Sequence, residues 1–316
     1  MTEQFDVAVV VPHFNQPESL SRTVAALRAQ ITDLSVQVIV VDDGSRRRVG
    51  PLGGSVGTIS VDVVHAAHRG PAAARNRGLA EVAAPIVAFT DADCVPRRDW
   101  VESMVRHFGA KPKTVAITGP VVDVTSPSRV NVLHGFFHRG SLLDHEPQRF
   151  TYSGIDMLGM IGANLASRTE FVRELGGFDI AYPYPGGEDY DLALRLQRSG
   201  ATVDFVADAV VEHDYPTSIR RLLRRWYTYG YGKQVFREQH GLLASDLHLG
   251  KSAIESLVHL PSLTRSHFQM EGRLSVTPLL VEACFQIGAA SARHKRRPAM
   301  FGSAVARRRR SRLPDS

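Results

Sequence analysis

The sequence predicts a doubly wound, mostly parallel α/β sheet with a C-terminal helical appendage. Three observations carry that reading. Short β-branched runs alternate with helical stretches, the pattern of a parallel sheet wound with helices. Each run stops abruptly in polar residues. Those polar stops would all fall at the carboxyl ends of the strands, where open α/β sheets bind ligands.

Residues 7–11 form the first continuous apolar run, ended by Pro12, and read as a strand buried on both faces. Leu20, Val24 and Leu27 then recur at helical spacing over residues 19–30. Residues 36–41 are a second buried run, stopped by Asp42-Asp43-Gly44-Ser45, and residues 59–65 a third, weaker one. An Ala- and Arg-rich helix over 71–84 leads to a fourth strand over 86–90, followed by Asp91-Ala92-Asp93. A helix over 100–108 and a strand over 115–124 come next. Residues 127–151 show no clean period and are expected as a loop or mobile helix. Strands are expected over 158–167 and 201–211, and helices over 188–199 and 219–236. The implied organisation is one domain over 1–240, with halves 1–125 and 126–240, then a helical region over 241–294 and a basic, disordered tail over 295–316.

Composition narrows the function. Two cysteines, Cys94 and Cys284, exclude a disulfide framework and a four-cysteine zinc site. The net charge of +6 suggests a polyanion partner until it is divided along the chain. Residues 290–316 carry nine basic residues against one acid, Asp315, so that the preceding 289 residues stand at −2. The N-terminus has neither the basic stretch nor the apolar run of a signal peptide. The stretch 274–292 contains Pro278, Glu282 and Gln286 and is too interrupted to span a bilayer. The expected location is the cytoplasm, with peripheral attachment to an anionic inner membrane face through the basic tail.

Asp91 and Asp93, two apart at a strand end, can share a hard divalent cation and a sugar hydroxyl; the plainer alternative is an Asx-rich turn capping the next helix. Glu188, Asp189 and Asp191 open a helix, where the dipole and capping alone favour acids. Asp191 is expected to cap or to pair with Arg195. The stripe Arg220, Arg221, Arg224 and Arg225 suits a diphosphate, an acceptor phosphate, an anionic membrane or simply solvent.

Taken in order, the motifs resemble those of the inverting family 2 glycosyltransferases with a GT-A fold. They are Val9-Val10-Val11-Pro12-His13-Phe14-Asn15, Val38-Ile39-Val40-Val41-Asp42-Asp43-Gly44-Ser45, Gly70-Pro71-Ala72-Ala73-Ala74-Arg75-Asn76-Arg77-Gly78 and Asp91-Ala92-Asp93. Gly162-Ala163-Asn164, Gly176-Gly177-Phe178-Asp179, Gly187-Glu188-Asp189-Tyr190-Asp191-Leu192 and His213 complete the series. Each is unspecific alone; the ordered set is specific and covers about residues 5–240.

The resemblance implies a nucleotide-diphosphate sugar donor, an acceptor hydroxyl and a divalent cation, Mn2+ or Mg2+. Pro12, Phe14, Asn15, Asp42, Asp43, Arg75 and Asp91 would form the donor side. Phe14 would stack on the base, Asp42 would accept its imide N–H, Asp43 would fix the Gly44-Ser45 turn, and Arg75 would approach the nucleotide or its phosphates. Asp91 would hold the ribose and share in the metal centre, with Asp93 and His213 as ligands. Asp189 would be the catalytic base, with Glu188 supporting it and Gly186 and Gly187 shaping its turn. Gly162, Asn164, Gly187, Arg225 and Trp226 would lie on the acceptor side. Cys94 reads as a passive reduced thiol.

Processive members carry Gln-x-x-Arg-Trp and membrane helices. Leu222 occupies the Gln position here, so transfer of one or a few sugars is expected, to a lipid-linked or cell-envelope glycan, a polysaccharide, a peptide or a small molecule. A sugar nucleotidyltransferase is the alternative enzyme, but Pro12-His13-Phe14-Asn15-Gln16-Pro17 lacks its Gly-rich basic loop. A non-enzymatic membrane or nucleic-acid binder is the alternative outside catalysis; no nucleic-acid-binding motif is present, so no nucleic-acid partner is expected.

Overall fold

The seven residues of β1 (Val7–His13), all buried except the half-buried Pro12, run through the middle of the principal sheet. In the computed structural model, residues 5–123, 147, 149–152, 155–213, 218–241, 280 and 283–294 are described. The expected loop over 127–151 and the helical region over 241–294 lie largely outside them, and the tail over 295–316 lies wholly outside.

β1 pairs in parallel with β2 (Val36–Asp42), and β2 with β3 (Ile59–His65). On its other side β1 pairs in parallel with β4 (Ile86–Phe89). Between them run α1 (Pro17–Arg28) and α2 (Pro71–Glu81), each opened by proline, whose fixed φ and missing N–H suit a first turn. β5 (Cys94–Pro96) and α3 (Trp100–Ala110) follow, then β6 (Thr114–Thr118) and β7 (Val121–Asp123). Next come β8 (Arg149–Tyr152), β9 (Ile155–Leu158), β10 (Leu165–Arg168) and α4 (Thr169–Glu174). α5 (Glu188–Arg198), β11 (Thr202–Phe205), β12 (Val211–His213) and α6 (Ile219–His240) complete the described elements.

The principal sheet runs in the order β11-β6-β10-β4-β1-β2-β3. Only β10 is antiparallel to its neighbours, β4 and β6. β5, β12 and β7 form a second, three-stranded sheet, and β8 and β9 a hairpin pair. The core lies where Leu20, Val24 and Leu27 of α1 and Trp100, Met104 and Phe108 of α3 meet the sheet. Each such side chain contributes about 1.5–3 kcal/mol relative to exposure.

Three expected strands divide. The run over 115–124 breaks at Gly119-Pro120, since proline offers no N–H to a ladder; β6 stays in the main sheet and β7 leaves it. The run over 201–211 splits into β11 and β12 in the same way, and the stretch over 158–167 into the end of β9 and β10. The splitting has a functional consequence, because β12 pairs with β5 and carries His213 to Asp93.

Contacts divide the chain into two units, Met1–Leu222 and Leu223–Ser316. The division falls inside α6, ahead of residue 240. Within the second unit, α6 packs on the helix over 283–294: Tyr227 Oη lies 3.0 Å from Ser291 Oγ, and the Trp226 and Phe285 rings are 6.1 Å apart.

Candidate active site

The carboxyl ends of β1 and β2 form one side of the rim. Asp42 closes β2 and is sealed from solvent, accepting the N–H groups of Ser45 (3.0 Å) and Val49 (3.1 Å), with His65 Nδ1 at 3.3 Å. Burial alone would push its pKa up; those hydrogen bonds outweigh it and hold the carboxyl below its usual range. Asp43 accepts the N–H groups of Arg69 and Gly70, both at 2.9 Å, and contacts His68 Nδ1 at 2.9 Å. The expected division of labour is therefore corrected: Asp42, not Asp43, fixes the Gly44-Ser45 turn, and Asp43 holds the loop that starts α2.

Phe14 stacks on His68 with ring centroids 4.0 Å apart and planes at 14°, so one face of its ring is taken by the protein itself. Asn15 adopts the left-handed conformation (φ 56°); its N–H donates to Ser45 Oγ and its Oδ1 accepts the N–H of Arg46. Asn15 thus ties the β1 loop to the β2 loop. Pro12 pairs with Val41 in register and is half-buried.

The other side of the rim is held together by one cation. Arg75, on α2, is 3% exposed. Its Nη2 donates to Asp91 Oδ1 at 2.6 Å and its Nη1 to Glu188 Oε1 at 3.0 Å. Burial disfavours its charge, but the carboxylates of Asp91, Glu188 and Asp189 outweigh burial and raise its pKa. The expectation for Arg75 was contact with the nucleotide or its phosphates; here the guanidinium is enclosed between two carboxylates. The chain passes close over it at residue 162, where a Cβ would stand 2.8 Å from Nη2 and would displace the guanidinium.

Glu188 and Asp189 open α5 after Gly187, whose φ of 101° is a turn that non-glycine residues rarely adopt. Glu188 is enclosed; besides Arg75 it accepts the N–H of Gly186 at 2.7 Å. Asp189 is half-buried, and its Oδ2 accepts the N–H of Gly162 at 3.2 Å. Burial and then the Asp189 charge, against the pull of Arg75, push Glu188 up to about 7. Burial also raises Asp189, against the charge of Arg75. Asp191, one turn on, pairs with Arg195 (2.8 Å to Nε), as expected.

Asp93 sits at the mouth, with its Oδ1 3.5 Å from His213 Nε2. Cys94 lies beside them, and one donor atom from each of Asp93, Cys94 and His213 falls within 4.8 Å of the others. An oxygen, a nitrogen and a sulfur donor at this spacing fit a divalent cation. Burial, then the Asp93 and Asp91 carboxylates, raises the Cys94 thiol well above its ordinary range.

Two residues escaped the sequence reading. Gln16 Nε2 donates to Asp93 Oδ2 at 3.4 Å. Asn76 brackets Phe178, donating to its carbonyl at 2.7 Å and accepting its N–H at 2.8 Å, which seats the Phe178 ring 5.3 Å from the Arg75 guanidinium. Adjacency to Asn15 and Arg75 is the only signal the sequence offers for either.

Asn164 requires a correction. It is fully buried; its side chain accepts from Trp100 Nε1 (2.9 Å) and donates to the carbonyls of Pro120 (2.8 Å) and Ala209 (2.7 Å). It fastens α3 to the segments that precede β7 and β12 and does not line an acceptor pocket. Arg225 and Trp226 belong to the second unit, where Arg225 lies 6.0 Å and Trp226 5.9 Å from the Tyr229 ring.

An open, mostly parallel sheet that gathers its carboxylates at the strand ends, with a second small sheet bringing in a histidine, is a GT-A fold. The chain belongs to Glycosyl transferase family 2, which it matches over residues 8–176. It is 36% identical over 235 residues to the pre-mycofactocin glycosyltransferase of Mycobacterium tuberculosis, covering 71% of this chain and 46% of that protein. The chain thus spans about half the length of that relative. It is 27% identical over 249 residues to a glucosyl-dolichyl phosphate glucuronosyltransferase of Haloferax volcanii, covering 72% of this chain and 76% of that one. Its fold resembles that of a mannosyltransferase from Pyrobaculum calidifontis in complex with GDP-Man and Mn2+, with a TM-score of 0.51 at 19% identity over 96% of this chain and 81% of that one.

Proposed function

We propose that the protein is a metal-dependent, non-processive glycosyltransferase that moves a sugar from a nucleotide-diphosphate donor to an acceptor hydroxyl with inversion. The observation that supports this most is the contrast between neighbours Glu188 and Asp189. Glu188 is enclosed and bound to the Arg75 cation, whereas Asp189 is half-buried and accepts only the backbone N–H groups of Gly162 and Tyr190, with its pKa raised by burial. Asp189 takes the proton of the acceptor hydroxyl. The acceptor oxygen then bonds to the anomeric carbon from the face opposite the diphosphate, and the bond to the phosphate oxygen breaks with its electron pair leaving on the nucleoside diphosphate. A divalent cation held by Asp93 and His213 would offset the charge of that leaving group. Asp91, oriented by Arg75, keeps 30% of its side chain exposed and can meet the donor's hydroxyls.

Asp189→Asn should lower turnover by roughly 10²- to 10⁴-fold while donor binding and thermal stability stay unchanged. Turnover within a few-fold of the wild type would remove Asp189 from the role. The names of the two relatives carry different molecules, pre-mycofactocin and a glucosyl-dolichyl phosphate, and the acceptor here is assigned only as a hydroxyl. Cell-envelope glycan, polysaccharide or glycolipid synthesis is the setting we favour, at the inner membrane face. No described helix is long and apolar enough to cross a membrane, so the basic residues after 290 are the attachment we propose. Removing residues 295–316 should release the protein from anionic vesicles, with turnover on a soluble acceptor unchanged; undiminished vesicle binding would count against it.

A further inference from the structure

Cys94 is not placed like a spectator. β5 and β12 pair antiparallel with Cys94 directly opposite His213. Residues directly opposed in such a pair project from the same face with Cβ atoms about 4.5–5.5 Å apart. Asp93 immediately precedes Cys94, and its Oδ1 is 3.5 Å from His213 Nε2. The shortness of β5, three residues, lets Asp93 sit in the turn before the strand, on the same side as the other two.

The neighbouring carboxylate is committed elsewhere. Asp91 Oδ1 is held by Arg75 at 2.6 Å, which draws it towards α2. A hard ion such as Mg2+ prefers oxygen ligands in a near-ideal octahedron, and an imidazole nitrogen and a sulfur do not supply them. One oxygen, one imidazole nitrogen and one sulfur is instead a donor set for a borderline or soft cation. Three protein ligands also leave an open fourth position in a tetrahedral shell, where a donor phosphate oxygen can enter.

We propose that Cys94 Sγ is a third protein ligand of this centre, and that the site therefore takes thiophilic divalent cations, such as zinc, cadmium or cobalt, more tightly than Mg2+ or Mn2+. This rests on the reading of Asp93 and His213 as metal ligands. On binding, the thiol proton passes to solvent and the sulfur binds as thiolate.

The test uses the full chain and Co2+, alone and then with UDP or GDP, followed by absorption. A thiolate-to-cobalt charge-transfer band in the near ultraviolet, together with visible d–d absorption, is expected. Because the chain has only two cysteines, Cys94 and Cys284, the band must survive Cys284→Ser. It must vanish in Cys94→Ser, and cadmium affinity should fall by more than the roughly 10- to 100-fold typical of losing an outer-shell partner, while Mn2+ affinity changes by only a few-fold. Should Cys94→Ser fail to fold, the wild-type and Cys284→Ser spectra decide the matter alone. Cobalt bound with visible absorption but no charge-transfer band overturns the sulfur ligand and leaves the Asp93–His213 centre standing. No cobalt binding by the folded wild type, with or without nucleotide, overturns both.

Discussion

Asp42 and Asp43 on one side of the rim, and Asp91, Glu188 and Asp189 on the other, are all carboxylates, the first three at strand ends and the last two at the start of a helix. They do different physical work. Asp42 and Asp43 are satisfied by backbone N–H groups no more than 27 residues away, and so set the shape of the loops between β2 and α2. In the second group a buried side chain does the work: Arg75 binds Asp91, 16 residues away, and Glu188, 113 residues away, so that the contact joins α2 to the start of α5. A carboxylate that accepts from backbone stabilises one loop. A carboxylate that shares a buried guanidinium makes its own protonation depend on every other member of the cluster.

The largest expected effect separates these two designs. Arg75→Leu leaves Glu188 buried with no cation, and breaking a buried pair in this way costs about 3–5 kcal/mol. The double variant Arg75→Leu/Glu188→Leu should recover most of that loss, because replacing both partners by apolar groups removes the stranded charge. Urea unfolding of the single and double variants measures it. If Arg75→Leu unfolds at the wild-type midpoint, this contact does not hold α2 to α5.

Asp43→Ala attacks the other side and should do less. It removes the acceptor for two N–H groups and the partner of His68, each such bond to a charged group being worth about 1.5–3 kcal/mol. The loop over residues 66–70 is partly exposed and water can replace the carboxylate, so we expect about 2 kcal/mol in all. The same unfolding experiment reads it. A loss as large as that of Arg75→Leu would erase the distinction drawn between the two sides.

The difference also explains what the sequence made legible. Continuous apolar runs such as residues 36–41 announce buried strands whatever lies around them, so β1 to β4 could be read directly. The antiparallel course of β10 could not, since a four-residue run carries no direction. The acids at the strand ends were recognisable as a rim, but their partners were not. Asp42 was expected to be open to a base and is instead closed on Ser45 and Val49. The family resemblance implied that Asn164 lies on the acceptor side, whereas its amide serves Trp100, Pro120 and Ala209, which lie 44 to 64 residues away. Residue type predicts that a buried amide needs partners, not which distant groups supply them.

The smallest effect we expect is also the one that turns on sign. Glu188 is raised from 4.5 to about 7 by burial and by Asp189, so the folded protein binds its proton more tightly than the unfolded chain does. Its contribution to stability is complete below 4.5 and is lost as the pH rises through about 7. Asp42 is lowered, so its contribution is present above the ordinary carboxylate value and is lost as the pH falls through its depressed one. The two sides of the rim therefore pull the stability curve in opposite directions. Glu188→Gln removes the first pull and should flatten the decline between about pH 5 and pH 7.5, leaving the acid-side loss from Asp42 intact. Urea midpoints across that range decide it. If wild-type stability relative to Glu188→Gln instead rises with pH, Arg75 governs Glu188 more strongly than burial and Asp189 do, and the cluster is an ion pair first and a proton-holding site second.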